Sequence, residues 1–176
     1  SRDPPYHDYW FPLVGGTVML YANTQRAPLS DVRVRKALSL SVNRELLVKV
    51  ALYGYTRPAD ATGLHDGYAR FRSSEIPLDD EWLKFDTRRA ETLLEAAGCV
   101  RTNGGTRLAP NGERLKLDVN VVTGWSDWMR TAQIIAQGLR GMGIDSAAVA
   151  HDFSAYFDKL QKGDFHLSLG WSSDEP

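Results

Sequence analysis

Apolar and polar positions follow two periods along this chain, and the two periods predict a series of strands and helices. Residues 17–24 are apolar and partly β-branched, which is typical of a buried strand. Residues 115–121 alternate leucine and valine with charged and amide side chains, which predicts a half-buried strand. The apolar runs at 144–149 and 165–171 predict two further strands.

Apolar residues spaced three and four apart predict five helices between these strands. Two lie in series within residues 28–55, with Ser30 or Asp31 as the first N-cap and Asn43 as the second. The others are helix 87–97 after Asp86, a helix from Ser126 or Asp127 to about Met142, and helix 154–162 opened by Ser154. Because strands and helices alternate, the sequence predicts an α/β fold whose sheet is joined by right-handed crossovers.

Composition indicates one globular domain of ordinary character. The chain has 176 residues, of which 43% are hydrophobic and 24% charged. A net charge of −1 provides no basic surface for nucleic acid, and Cys99 alone cannot form an internal disulfide or a cysteine-rich metal site. The chain starts abruptly at Ser1 and stops after a predicted strand. We therefore interpret it as a piece of a longer protein, so a missing signal peptide does not argue for the cytoplasm.

Candidate chemistry lies in two stretches that follow predicted strands. Ligands of open α/β sheets bind beyond the carboxyl ends of strands, next to helix N-termini. The candidate ligand-binding residues there are Trp125, Ser126, Asp127, Trp128, Trp171 and Asp174. Exposed aromatic faces suit sugar rings and peptide side chains, although core or hinge packing is the alternative for each tryptophan. Asp174 is either the partner of a ligand cation or a turn-forming residue.

The sequence offers little support for catalysis. The four histidines have no metal-ligand spacing, and we find no nucleophile elbow, phosphate loop or dinucleotide fingerprint. His65 and Asp66 form an isolated histidine–aspartate dyad in the long connection 55–85, where a surface role is more typical than a catalytic one. A glycosidase would need two carboxylates about 5 to 9.5 Å apart. Asp127 and Asp174 are candidates for that pair, but nothing in the sequence argues for it. We predict no catalytic residues, no metal site and no cofactor.

The stretch from Asn23 to Arg44 resembles the extracytoplasmic solute-binding proteins of dipeptide and oligopeptide ABC importers, known as solute-binding protein family 5. The matching residues are Asn23, Thr24, Pro28, Leu29, Asp31, Val34, Arg35, Ala37, Leu38, Ser41, Val42, Asn43 and Arg44. The run from Phe85 to Gly98 is similar to a second motif of that family. The resemblance covers residues from about 17 to 176.

This resemblance implies one lobe of a two-lobed binding protein of the periplasmic type II-like fold, with a mixed sheet flanked by helices. The other lobe would lie outside this chain, both before and after it. The whole protein would be extracytoplasmic, with a signal peptide and, in a Gram-positive host, a lipid anchor. It would close on a small-molecule ligand like a hinge and present it to ABC permease subunits in the membrane.

The resemblance also bears on the ligand. Peptide-binding members end the last strand in a motif like Gly-Trp-x-x-Asp, here Gly170 to Asp174, whose aspartate pairs with the ligand's α-ammonium. Dipeptide-binding members carry an arginine where this chain has Met129, with Arg130 one step round the helix. Residues 53–64 and 124–128 are more similar to the branch that binds cellobiose-type oligosaccharides. We therefore favour an oligosaccharide, with an oligopeptide close behind. A stand-alone interaction domain is an alternative of a different class.

Overall fold

The computed structural model describes residues 16–172, and within them the chain forms a four-stranded mixed sheet with five α-helices. The strands are β1 (Val18–Ala22), β2 (Val119–Val122), β3 (Ala148–His151) and β4 (Leu167–Trp171). The helices are α1 (Val32–Ser41), α2 (Arg44–Val50), α3 (Thr87–Ala96), α4 (Ser126–Gly141) and α5 (Phe153–Lys162). None of the helices in this part of the chain is long and apolar enough to cross a membrane.

The strand order is β1-β4-β2-β3, so the sheet places β2 and β4 side by side at its centre. β2 pairs in parallel with both β3 and β4, whereas β1 runs antiparallel to β4 at the edge. The α/β class and the mixed sheet are therefore confirmed. Because parallel strands end at the same edge, β2 and β4 deliver the segments that follow them to neighbouring places.

The two faces of the sheet differ in chemistry. Val119, Val121 and Leu169 belong to the main hydrophobic core, which the sheet shares with α1, α3 and α4. The alternating residues Asn120 and Ser168 are buried on the opposite face. The half-buried pattern predicted for 115–121 is therefore wrong for β2, whose four residues are all buried because the sheet is covered on both faces.

The strand predicted at 144–149 and the helix predicted at 154–162 have different boundaries in the structure. The strand predicted at 144–149 forms its regular ladder only from Ala148 to His151. Ahead of it, the Ser146 hydroxyl donates to the Leu117 carbonyl at 2.6 Å, and the Ala147 amide donates to the Asp118 carboxylate at 3.1 Å. The Ala147 amide thus bonds a side chain and not the backbone of the neighbouring strand, although the Leu117 and Val119 amides still donate to the carbonyls of Asp145 and Ala147. The next helix starts at Phe153 with Asp152 as its N-cap, and not at Ser154.

The residues that carry the family resemblance build the scaffold. Asp31 and Asn43 cap α1 and α2 by accepting backbone amides at 2.8 and 2.9 Å, as predicted. The Asn23 amide donates to the carbonyls of Gly163 and Phe165, which fixes the approach to β4. Arg44 donates to the carbonyls of Ser39 and Leu83 at 3.0 Å each. Each of these contacts joins one element of the fold to another or to its own cap.

Arg107 is the largest fully buried side chain, and it joins three parts of the fold. Its guanidinium pairs with Glu91 and Glu95 of α3 and donates to the Cys99 carbonyl. A further donation at 2.9 Å reaches the Met142 carbonyl just after α4. The turn-rich segment that carries Arg107 is therefore anchored to both helices by charge-assisted hydrogen bonds.

The long connection 55–85 holds two short 3₁₀ helices, Asp66–Phe71 and Glu81–Leu83. Asp66 pairs with Arg57 and Arg72, and hydrogen bonds first from Arg57 and then from Arg72 hold the pKa of this carboxyl well below its usual range. His65 Nδ1 accepts the Gly67 amide at 3.0 Å. His65 and Asp66 therefore each hold a structural contact within this connection.

Candidate functional site

Two neighbouring strand ends define the candidate site. β2 ends at Val122, and the chain turns through Gly124, whose φ of +84° is a backbone conformation that favours glycine, into the first turn of α4. β4 ends beside it at Trp171. The predicted cap at Ser126 or Asp127 is wrong. Trp125 holds the N-cap position without a side-chain hydrogen bond, and its carbonyl accepts the Met129 amide at 2.8 Å.

The structure brings the three tryptophans of these segments together. The ring centroids of Trp125 and Trp171 lie 6.1 Å apart, and Trp128 lies 4.9 Å from Trp125 and 5.8 Å from Trp171. The Trp125 and Trp128 rings meet edge to face at 84°, which is a favoured aromatic geometry. Side chains that are more than forty residues apart in sequence thus form one cluster at the carboxyl edge of the sheet.

Within this cluster the tryptophans divide by exposure. Trp128 is only 7% exposed and belongs to the main hydrophobic core, so its ring supports the other two from beneath. Trp125 and Trp171 are 39% and 40% exposed, which leaves ring surface available to a ligand. Of the three predicted contact tryptophans, two therefore have the exposure that contact requires, and Trp128 packs as core.

Two phenylalanines extend the exposed aromatic surface. Phe153, at the start of α5, lies 6.2 Å from Trp125 between ring centroids, and Phe157 follows one turn later at 6.1 Å from Phe153 with nearly parallel rings. They are 49% and 43% exposed. We call the four exposed rings Trp125, Trp171, Phe153 and Phe157 the aromatic rim. The sequence prediction missed both phenylalanines, although a pair of aromatics four apart directly after a strand was a usable signal.

Polar groups at the start of α4 have modest roles in the structure. The Asp127 carboxylate accepts the Trp128 amide at 2.9 Å, and the Thr131 hydroxyl donates to the Asp127 carbonyl at 2.9 Å. Asp127 is half-buried, and Ser126 is exposed at the first position of the helix. Both lie directly after Trp125 in the first turn of α4. Asp174, the remaining predicted contact, lies outside the described residues.

Arg130 does not take the place of the missing ligand-binding arginine. Its guanidinium lies over the Tyr53 ring at 4.9 Å from the centroid, which is a cation–π geometry. Residues 125 and 130 are five positions apart on one helix, which separates their directions by about 140°. Arg130 thus points away from the Trp125 side of α4, and Met129 provides no charge in its place.

Residues 16–172 contain no group of three or more histidine, cysteine, aspartate or glutamate side chains that could hold a metal ion. The chemistry at the carboxyl edge of the sheet is instead that of exposed aromatic rings, with the Asp127 carboxylate and the Ser126 hydroxyl in the first turn of α4 beside them.

A mixed sheet covered by helices, with aromatic side chains exposed where two central strands end, has the architecture of an α/β ligand-binding domain. The family model described as "Bacterial extracellular solute-binding proteins, family 5 Middle" matches residues 3–176. The chain therefore belongs to this family, which confirms the resemblance found in the sequence. Because the family is one of solute-binding proteins, the expectation that this chain is not an enzyme is confirmed as well.

Individual relatives agree with this assignment. The nickel-binding periplasmic protein of Escherichia coli (strain K12) is 29% identical over 170 residues, which are 95% of this chain and 30% of that protein. The oligopeptide-binding protein OppA of Bacillus subtilis (strain 168) is 25% identical over 171 residues, which are 92% of this chain and 28% of that protein. The chain thus spans about 30% of the length of these relatives.

A solved structure supports the fold directly. The mannohexaose-bound periplasmic oligopeptide-binding protein of an oligopeptide ABC transporter from Thermotoga maritima matches with a TM-score of 0.82 at 30% identity. The match covers 97% of this chain and 31% of that one. The periplasmic-binding-protein type II-like fold predicted from the resemblance is therefore confirmed.

Proposed function

We propose that this chain is the wall of a ligand cleft in an extracytoplasmic solute-binding protein that captures oligosaccharides for an ABC importer. The observation that carries the proposal is the aromatic rim, four exposed rings in sequence along the edge where β2 and β4 end. Soluble domains rarely leave such a patch uncovered unless it binds something. A ligand that covers these rings would bury apolar surface at about 25 cal/mol per Å².

Sugars fit this surface better than charged ligands do. The C–H faces of a pyranose ring are apolar and pack on indole or phenyl rings, while its hydroxyls need polar groups at the margin. Ser126 and Asp127 lie beside Trp125 and could serve as that margin. Arg130 is directed to Tyr53, so the first two turns of α4 present no cation to a ligand carboxylate. An uncharged ligand is therefore favoured.

The solved relative that carries mannohexaose supports the same ligand class. Its sequence is 30% identical to this chain, and the match includes the region of the rim. We also propose that the chain forms one lobe of a two-lobed protein that closes on its ligand and delivers it to permease subunits outside the cytoplasm. A ligand held between two lobes would bury most of its surface, as ligands of closed clefts do.

Calorimetric titration of the full-length protein with cellobiose-type sugars tests this function. We expect binding by the full-length protein and at least about 100-fold weaker binding by this 176-residue chain alone, because one side of the ligand would stay hydrated. Short peptides titrated in parallel serve as the comparison. Binding of neither ligand class by the full-length protein would refute the proposal.

An oligopeptide is the second candidate, favoured by the names of the relatives and by the motif from Gly170 to Asp174. In that case Asp174 would pair with the peptide's α-ammonium. Changing Asp174 to Asn is expected to weaken peptide binding about 30-fold, because loss of a charged partner costs about 2 kcal/mol or more. Sugar binding should change less than about threefold.

Calorimetry on Asp174→Asn and wild-type protein with both ligands separates the two candidates. If the substitution leaves peptide binding intact, the ion-pair assignment of Asp174 is wrong. The Ser173→Ala variant is the control, since this substitution alters the same segment without removing a charge.

A further inference from the structure

β4 loses its partner β2 before it reaches the aromatic rim. The registered pairs between them are Val119 with Leu167 and Asn120 with Ser168, and the ladder stops there. The Leu167 amide donates to the Asp118 carbonyl, so the backbone groups of residue 167 face the β2 side. Residues two apart in a strand point the same way, and the carbonyls of Leu169 and Trp171 therefore face that side as well, without a strand partner.

Two tyrosine hydroxyls meet these carbonyls. Tyr156 of α5 donates to the Leu169 carbonyl, and Tyr21 of β1 donates to the Trp171 carbonyl. A tyrosine hydroxyl is protonated at neutral pH and can donate, and burial raises the pKa of both side chains further. The Tyr156–Leu169 bond is buried, where a carbonyl without a partner is costly, whereas the Tyr21–Trp171 bond is exposed and adds a directional contact at the end of the strand.

The Tyr21 ring reaches its hydrogen bond by crossing directly over Gly170. A Cβ placed on Gly170 would lie 2.6 Å from Tyr21 Cζ and 2.8 Å from Cδ2, closer than real side chains approach. Gly170 thus permits the ring to lie on the strand. Ser172, two residues further on, is fixed to the segment that precedes β1. Its amide donates to the Thr17 carbonyl at 2.9 Å, and the Thr17 amide donates to Ser172 Oγ at 2.8 Å.

We propose that Tyr21 is a positioning residue for the aromatic rim: its ring over Gly170 and its bond to the Trp171 carbonyl fix the end of β4, where the strand has passed its pairing with β2 and is paired only with β1. The Trp171 side chain extends to the opposite face, where it contacts Trp125 and Trp128. Rotation of the Trp171 peptide would move the indole relative to both. Tyr21 therefore acts on the ligand through Trp171, and only this last step rests on the proposed function.

The Tyr21→Phe variant of the full-length protein tests the proposal, because it keeps the ring and removes only the hydroxyl. We expect a changed near-ultraviolet circular dichroism signal from the rim tryptophans without ligand, and roughly fivefold weaker sugar binding. The change in signal should disappear when Trp171 is also replaced by phenylalanine. Tyr68→Phe is the matched control, since the Tyr68 ring contacts only His65 and Phe71 among the aromatic contacts of the described residues.

Gly170→Ala provides a second, independent arm. Its methyl group should displace the Tyr21 ring and alter the same signal, and this effect should be smaller in a protein that already carries Tyr21→Ala. A Tyr21→Phe protein whose tryptophan signal and affinity both equal those of the wild type would overturn the proposal, even if its melting temperature fell. If the wild type bound no sugar, the proposed function would fail, and the ligand-free signal would still decide the role of Tyr21.

Discussion

Replacing Trp125 with alanine is expected to weaken oligosaccharide binding by the full-length protein about 30-fold, equivalent to about 2 kcal/mol. The Trp125 ring is 39% exposed, contacts Trp128, Trp171 and Phe153, and so lies at the centre of the exposed aromatic surface. Its removal takes away a face for sugar stacking and loosens its neighbours. Isothermal titration with the preferred sugar measures the change.

Peptide binding should fall much less in the same variant, because a peptide is held by charges and backbone hydrogen bonds as well as by ring contacts. Phe71→Ala is the control, since this ring is exposed in the long connection and contacts Tyr68 and Arg70. Unfolding measurements on both variants check that weaker binding does not reflect a loss of folded protein. Equal sugar affinity in Trp125→Ala and wild type would show that the aromatic rim is not part of the binding site.

Replacing Arg107 with alanine is expected to lower the free energy of unfolding by about 3 kcal/mol or more. The side chain is fully buried and serves Glu91, Glu95 and two backbone carbonyls. Its loss would leave Glu95 without its cation, Glu91 with Arg101 alone and two backbone carbonyls without their donor, and it would open a cavity where the guanidinium lies. Guanidinium chloride unfolding of this chain, followed by tryptophan fluorescence, measures the effect.

Arg114→Ala is the matched comparison for this prediction. Arg114 lies in the same segment but is largely exposed, and its contact with Asp145 is 3.4 Å long. Exposed ion pairs contribute little, so a change within about 1 kcal/mol is expected there. A similar midpoint of unfolding for the Arg107 and Arg114 variants would contradict the role of Arg107 as an internal anchor.

The burial of Arg107 could not be predicted from the sequence. Its neighbours in sequence, Asn103 to Gly105 and Asn111–Gly112, indicate turns, and an arginine between two turns is expected at the surface. Its burial depends on carboxylates contributed by α3, twelve or more residues away, and on the carbonyl that ends α4. Nothing local in the sequence encodes those partners.

The boundary errors involve polar side chains that bond the backbone. Apolar patterns located the four strands and five α-helices of residues 16–172, but the side chains of Ser146 and Asp118 interrupt the ladder just before β3. Asp152, two residues before the predicted cap Ser154, caps α5, so the helix begins at Phe153. The two rim phenylalanines were missed because candidate residues were sought only in the segments that follow β2 and β4.

The α/β class, the caps at Asn43 and Asp86, the family and the two strand ends of the proposed site were readable from the sequence, and Asp31 was one of two candidates for the first cap. These features depend on local periodicity, capping chemistry and motif residues, which involve neighbours in the chain. The exposure of the aromatic rings became known only from the folded structure, which packs Trp128 into the core, adds Phe153 and Phe157 to the rim, and directs Arg130 towards Tyr53. Exposure and ring contacts could not be predicted because they are set by strand order and helix packing, which join residues far apart in sequence.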